Sequence, residues 1–193
     1  MERIIRAIKK EEWETCLDFV ERVFTDSEDA ESGRLVRNLM SEIRSNRYYV
    51  PELDLVMLNR EGEIIGQTMF SRFHLEGGYE DELLILTPVA VKTELQRQHI
   101  SKELIEFGLN RARELGFTVC IVEGNPQNYR PRGFRTSADY GIFADAEASE
   151  VEDSNNRHAI KFKAYNGRPE SVVSFVYFVQ KISDETKEEG GAV

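Results

Sequence analysis

Four polar residues, Gln96-Arg97-Gln98-His99, stand between an apolar run that ends at Val91 and an amphipathic stretch that opens near Ile100. Amide, guanidinium and imidazole groups gathered in one turn supply donors and charge. A turn that opens a helix adds backbone N–H groups with no intrahelical acceptor. Together these are the ingredients of an anion site. The same spacing also describes an ordinary strand-to-helix connection whose polar residues face water, and on spacing alone that plainer reading is the stronger. Other chemistry is hard to assemble: the sequence offers no defensible Ser/His/Asp or Cys/His arrangement and no residues at metal-ligand spacing. The two cysteines, Cys16 and Cys120, belong to no CxxC pair. Cys120 lies in an apolar run and reads as a buried thiol, which suits a reducing compartment.

The elements that must hold this turn follow from periodicity. Leu83–Val91 (LLILTPVAV) is almost continuously apolar and predicts a strand buried on both faces. Over Ile100–Leu115, a rotation of ~100° per residue gathers Ile100, Leu104, Ile105, Phe107, Leu109, Ala112 and Leu115 on an arc of roughly 200°. This predicts a helix lying close on a sheet, with Gly116 as its C-terminal stop. Thr118–Glu123 is a second buried strand, so the middle of the chain reads as a parallel pair with a right-handed crossover. Before it come a short strand over residues 2–8, a helix over Glu11–Phe24, and a polar break at Asp26–Ser32. A second helix carries Leu35, Val36, Leu39, Met40 and Ile43. The hairpin Leu53–Asn59 with Ile64–Phe73 follows, then a turn at Gly77-Gly78. After it, Phe143 ends a strand, Asp145–Asn156 is an acidic loop, and Ala159–Tyr165 pairs with Ser171–Phe178 around Asn166-Gly167. Residues 183–193 predict a frayed tail, leaving one domain over 1–182.

Composition narrows the function classes. Lys plus Arg total 25 against 35 Asp plus Glu, a net charge of −10. Such a field repels phosphate backbones, so nucleic acid is not expected as a partner, whereas amines are attracted. The plainer reading of the acidity is solubility. The N-terminus lacks the apolar core of a signal peptide, and no apolar run approaches the ~20 residues that span a bilayer. A cytoplasmic, non-membrane protein is expected.

Three motifs in order then resemble one family. Leu86-Thr87-Pro88-Val89-Ala90-Val91, Lys92-Thr93-Glu94-Leu95 and Gln96-Arg97-Gln98-His99-Ile100-Ser101 resemble the cofactor motif of the GNAT superfamily of acyl-CoA-dependent N-acyltransferases. That motif is an apolar strand, a short turn, then Gln/Arg-x-x-Gly-x-Gly/Ala opening a helix. Leu115-Gly116-Phe117 is similar to the family's turn into the next strand. Gly124-Asn125-Pro126-Gln127-Asn128-Tyr129 with Gly133-Phe134 resembles its G-(D/N)-P-x-x-Y…G-F segment. The likeness covers the central quarter to third of the chain.

The resemblance implies a mixed α/β (α+β) domain with a central, mainly antiparallel sheet, a splayed parallel strand pair and helices on both faces. It implies acetyl-CoA as acyl donor and a small-molecule or peptide amine as acceptor, with a homodimer left open. Val89, Ala90 and Val91 would meet pantetheine, Asn128 would lie near its arm, and Gln96, Arg97, Gln98, His99 and Ser101 would surround the diphosphate. Tyr129 would protonate the departing thiolate, their ordinary pKa values of ~10 and ~8.5 being close enough to share a proton. Glu123, at the end of a strand beside the cleft, is the candidate base, and His74 a candidate on the acceptor side. Two departures stand out. His99 and Ser101 replace the two small residues, and an imidazole either points away or fills the phosphate site. Arg130-Pro131-Arg132 replaces the usual residues before Gly133-Phe134, which can displace the Tyr129 hydroxyl. The rival implications are a degraded GNAT-like domain that binds CoA or another ligand without turnover, and an interaction module with no cofactor.

Overall fold

A computed structural model describes residues 3–73, 79, 81–137, 142–144, 162–164 and 177–181. Its elements run β1 (Ile4–Ala7), α1 (Trp13–Ser27), α2 (Ala30–Arg44), β2 (Asp54–Leu58), β3 (Ile64–Arg72), β4 (Leu83–Val91), α3 (Ile100–Glu114), β5 (Val119–Glu123), α4 (Pro126–Tyr129), β6 (Arg135–Thr136), β7 (Ile142–Ala144), β8 (Phe162–Ala164) and β9 (Tyr177–Lys181). Seven strands form one sheet in the order β1-β2-β3-β4-β5-β9-β6. Its pairings are antiparallel except β4 with β5.

Strand alternation divides the sheet between two cores. Leu55, Met57, Ile65, Phe70, Leu84 and Leu86 pack with Ile100, Leu104, Ile105, Leu109 and Ala112 of α3 on one face. Val56, Met69 and Ala90 pack with Cys16, Phe19, Val20 and Val23 of α1 and Met40 of α2 on the other. Each fully buried large side chain contributes about 1.5–3 kcal/mol. The second core ends in a polar knot. Arg44 Nε donates to Asp54 Oδ2 at 2.8 Å, and the Tyr49 hydroxyl donates to the same oxygen at 3.1 Å. Both members of the ion pair are almost wholly buried, so loss of either would leave a buried charge unpaired.

Helix α3 seats unusually close to β3. A Cβ on Gly108 would lie 2.2 Å from the Phe70 ring, and one on Gly66 would lie 2.8 Å from both Ile100 and Leu104. The helix buries a narrower arc than its sequence suggests, because Phe107 and Leu115 are exposed.

Two further expectations need correction. The polar break between the first helices shrinks to Glu28-Asp29, because Asp29 caps α2 by accepting from the Ser32 N–H at 2.8 Å. Strand β4 is buried on both faces only at Leu83 and Leu84; from there its exposure alternates. Of the late strands, β8 pairs with β7 in a separate two-stranded sheet and β9 joins β5 and β6; residues 165–176, which hold the turn and most of the second strand of the expected hairpin, lie outside the described residues. The turns at Gly77-Gly78 and Asn166-Gly167, His74, the acidic loop and the tail at 183–193 lie outside the described residues.

Candidate active site

The parallel pair does not stay together. β4 and β5 pair at Leu83–Val119, Leu84–Cys120 and Ile85–Ile121, and no further. Six residues of β4, Leu86 to Val91, run on beyond the last pair, while β5 ends at Glu123. A β-bulge accompanies the parting. Thr68 faces Val89 but Phe70 faces Leu86, so Thr87 and Pro88 together oppose Met69. The Thr87–Pro88 peptide at this place is cis. The extra residue reverses the alternation of β4. Leu84 and Leu86 face α3 before the bulge, and Val89 and Val91 pack on that same core after it, leaving Ala90 fully buried in the opposite core.

The bulge also aims the backbone. The Lys92 N–H donates to the Ile65 carbonyl of β3 at 3.1 Å, and the Pro88 carbonyl accepts from the Thr68 hydroxyl at 3.1 Å. Backbone groups alternate direction along a strand. Those of Val89 and Val91 therefore point to the other edge, where β5 has already diverged. Ala90 offers this edge neither its side chain nor its backbone groups.

At the end of β4 a 3₁₀ turn, Thr93–Leu95, leads to the start of α3. Arg97 and His99 both take positive φ, 62° and 64°. His99 holds the left-handed conformation that glycine adopts at least cost, and its exposed imidazole is not packed into the turn. No side chain caps α3, and the first backbone bond of its ladder runs from the Glu103 N–H to the His99 carbonyl. The N–H groups of Ile100, Ser101 and Lys102 thus precede the ladder and face outward along the positive end of the helix dipole. Gln96 and Gln98 are exposed beside them.

Two arginines absent from the sequence-based site complete the turn. Arg3 Nη1 donates to the Gln98 carbonyl at 3.2 Å and to Glu103 Oε1 at 3.1 Å, tying the N-terminal segment to the turn and neutralising Glu103. Nothing local signals this contact, which spans about a hundred residues. Arg132 Nη2 donates to the Ser101 hydroxyl at 3.0 Å. It belongs to the out-of-pattern Arg130-Pro131-Arg132 segment, whose departure from the motif was its signal.

Tyr129 ends the short helix α4. Its ring packs on the same core as Val89 and Val91 and meets Phe134 edge-on, centroids 5.7 Å apart. Gly124 has φ of 155°, and a Cβ there would come 2.6 Å from the Tyr129 ring. The glycine therefore makes room for the tyrosine. Burial raises the Tyr129 pKa above its ordinary value, with the charge of Arg132 acting in the opposite direction. Asn125 holds the start of α4, its side-chain oxygen accepting from the Gln127 N–H at 2.9 Å. Asn128 is exposed on that helix, and Glu123 is exposed at the end of β5. Val89, Val91, Ser101 and Tyr129 are thus linked through one core and one arginine, whereas Gln96, Asn128 and Glu123 stand at the exposed rim.

Both cysteines are buried. Burial pushes the Cys16 thiol up to about 11 and raises that of Cys120 further, which makes both poor nucleophiles. Among the described residues, no cluster of His, Cys, Asp and Glu is suited to hold a metal ion, and no helix is long and apolar enough to cross a membrane.

An open strand pair beside an uncapped helix start can be compared with known proteins. The profile of the acetyltransferase (GNAT) domain matches residues 4–137. An uncharacterized N-acetyltransferase of Escherichia coli K12, YhbS, is 28% identical over 105 residues, which are 54% of this chain and 60% of that protein. The crystal structure of E. coli YhbS in complex with CoA superposes with a TM-score of 0.70 at 19% identity, covering 94% of this chain and 82% of that one. A GNAT family acetyltransferase of Brucella melitensis in complex with acetyl-CoA gives 0.63 at 26% identity, covering 70% and 84%. The domain match spans well over half the sequence, so the chain belongs to the GNAT family of acetyltransferases.

Proposed function

We propose that this protein transfers the acetyl group of acetyl-CoA to a primary amine by direct attack on the thioester. The observation that carries the reading is the parting of β4 from β5 after Ile85 and Ile121, beside a helix start that no side chain caps. An acyl-pantetheine arm is a short extended chain with amide groups. It fits an unpaired strand edge, and the outward backbone groups of Val89 and Val91 would bond it as a missing strand would. A diphosphate suits the N–H groups at the start of α3. The CoA and acetyl-CoA complexes of related GNAT proteins support the same donor.

In the proposed reaction a neutral amine attacks the thioester carbonyl, forming the C–N bond. The C–S bond then breaks and CoA leaves as thiolate. Tyr129 gives that thiolate its phenolic proton, a form of general acid help that contributes on the order of 10²-fold or more. The raised pKa of Tyr129 keeps this proton in place near neutrality. The proton shed by the amine passes to a base, for which Glu123 is the candidate; its exposure lets it exchange protons with water. The acceptor is a small-molecule or peptide amine, to which a chain of net charge −10 is electrostatically attractive.

Calorimetric titration with acetyl-CoA, followed by a thiol-release assay over polyamines, aminoglycosides, lysine and peptide N-termini, tests the reading. Saturable binding with CoA release only in the presence of an amine is expected. Binding with no release from any of these classes would contradict transfer to an amine, and no binding would overturn the donor assignment too.

A further inference from the structure

Several arginines of this protein are neutralised by carboxylates. Arg3 pairs with Glu103, Arg6 with Glu12, Arg37 with Glu14 and Asp18, Arg44 with Asp54, and Arg111 with Glu114. Arg132 is different. Among the described residues its one hydrogen bond goes to the uncharged Ser101 hydroxyl, its Nε is buried with no acceptor, and no carboxylate pairs with it. Carboxylates are plentiful in a chain with 35 of them, so the missing partner is not a matter of supply.

The location sharpens the point. Ser101 lies in the first turn of α3, at the positive end of the helix dipole, where a cation is repelled and an anion attracted. A guanidinium held there with no counter-charge among the described residues has the wrong sign for helix stability and the right sign for an anionic ligand. Its planar fork matches phosphate oxygens in pairs. The short turn Arg130–Arg132 that carries it follows Tyr129 directly. The charge of Arg132 also opposes the burial-driven rise of the Tyr129 pKa, which fits its closeness to that ring.

We propose that Arg132 is a diphosphate-binding residue, its unpartnered guanidinium donors joining the Ser101 hydroxyl and the first-turn N–H groups of α3 on the diphosphate of the CoA thioester. The inference rests on the acetyl-CoA reading above and deepens it. A residue foreign to the family motif would supply the cation, and the His99 and Ser101 positions would lose nothing by lacking glycine. The opposite reading of the Arg132–Ser101 bond is a plug that the ligand must displace. The two readings predict changes of opposite sign.

The test compares the wild-type chain with Arg132→Gln by calorimetry, using acetyl-CoA and S-acetylpantetheine, which has the thioester arm and no phosphate. Arg132→Gln should weaken acetyl-CoA binding by roughly ten-fold or more, as expected for lost charge-assisted hydrogen bonds. Binding of S-acetylpantetheine should change by less than about two-fold. Arg132→Lys, which keeps the charge and loses the fork, should fall between. Unchanged or tighter acetyl-CoA binding by Arg132→Gln would overturn the proposal, tighter binding favouring the plug. Equal weakening of both ligands would overturn it as well, since packing and not phosphate would then be at stake. Should Arg132→Gln lose its cooperative melt, Arg132→Lys decides: a loss confined to acetyl-CoA supports the proposal, and no loss overturns it. A wild-type chain that binds no acetyl-CoA would sink the donor reading itself, which is a different result from a wild-type chain that binds and a mutant that binds equally.

Discussion

A side chain at position 124 would place its Cβ 2.6 Å from the Tyr129 ring, so the glycine of the G-N-P-Q-N-Y segment leaves room to seat the tyrosine. Seated there, the phenol is largely buried and its pKa is raised. A donor with a raised pKa is fully protonated below its ordinary value and loses its proton only above it. The alkaline fall in turnover due to Tyr129 should therefore lie above pH ~10. Tyr129→Phe should reduce turnover by about 10²-fold while changing acetyl-CoA affinity by less than about two-fold. A pH–rate profile and a binding titration of both forms check the pair. His99 poses the complementary question. Its exposed imidazole and left-handed backbone leave the helix start clear, so His99→Gly should leave acetyl-CoA affinity within about two-fold, as read by calorimetry. Marked tightening would mean that the imidazole obstructs the site. At this scale the sequence was legible where a motif fixes a residue's neighbours, as for Tyr129 and the turn after Val91. It was opaque for Arg3, whose contacts with Gln98 and Glu103 lie about a hundred positions away. Arg132 was visible as a departure from pattern, but its direction was not, because only the fold brings it to Ser101.

Elements follow a similar division. The helix over Ile100–Glu114 and the strand over Val119–Glu123 are within a residue or so of what periodicity predicts. The bulge at Thr87-Pro88 was not predicted, since an apolar run has no alternation to interrupt; yet it is the bulge that puts Val89 and Val91 on the α3 face and turns their backbone groups toward the opening. The late pairings that are described were not legible for a related reason. Asn166-Gly167 is a good local turn signal, but β9 finds its partners in β5 and β6, and β8 in β7. The close seat of α3 gives the element-scale prediction. Gly108→Ala gains about 1 kcal/mol of helix propensity but drives a Cβ to 2.2 Å from the buried Phe70 ring. Overpacking of this kind costs about 1–3 kcal/mol, so a lower melting temperature is expected. Phe70→Leu in the Gly108→Ala background should recover part of the loss relative to the sum of the two single changes. Strict additivity would mean that the ring is not what limits the approach of α3.

Across the whole molecule, two cores hold one sheet from opposite faces, and the site sits where the sheet cannot be continuous. On one side β3 and β4 remain paired to Val91; on the other, β4 and β5 part after Ile85 and Ile121. The opening is therefore braced by packing on both faces, with Leu86 anchored in the α3 core and Ala90 in the opposite one. In a chain of net charge −10, Arg97, Lys102 and Arg132 gather at the start of α3, cations that would suit an anionic donor. The most direct test is a crystal structure of the chain with acetyl-CoA. The pantetheine arm should lie between β4 and β5 beyond Ile85 and Ile121, bonded to the backbone of Val89 and Val91, with the diphosphate on the N–H groups that open α3. Strands paired through to Val91 and Glu123, or a ligand bound away from the start of α3, would contradict the account.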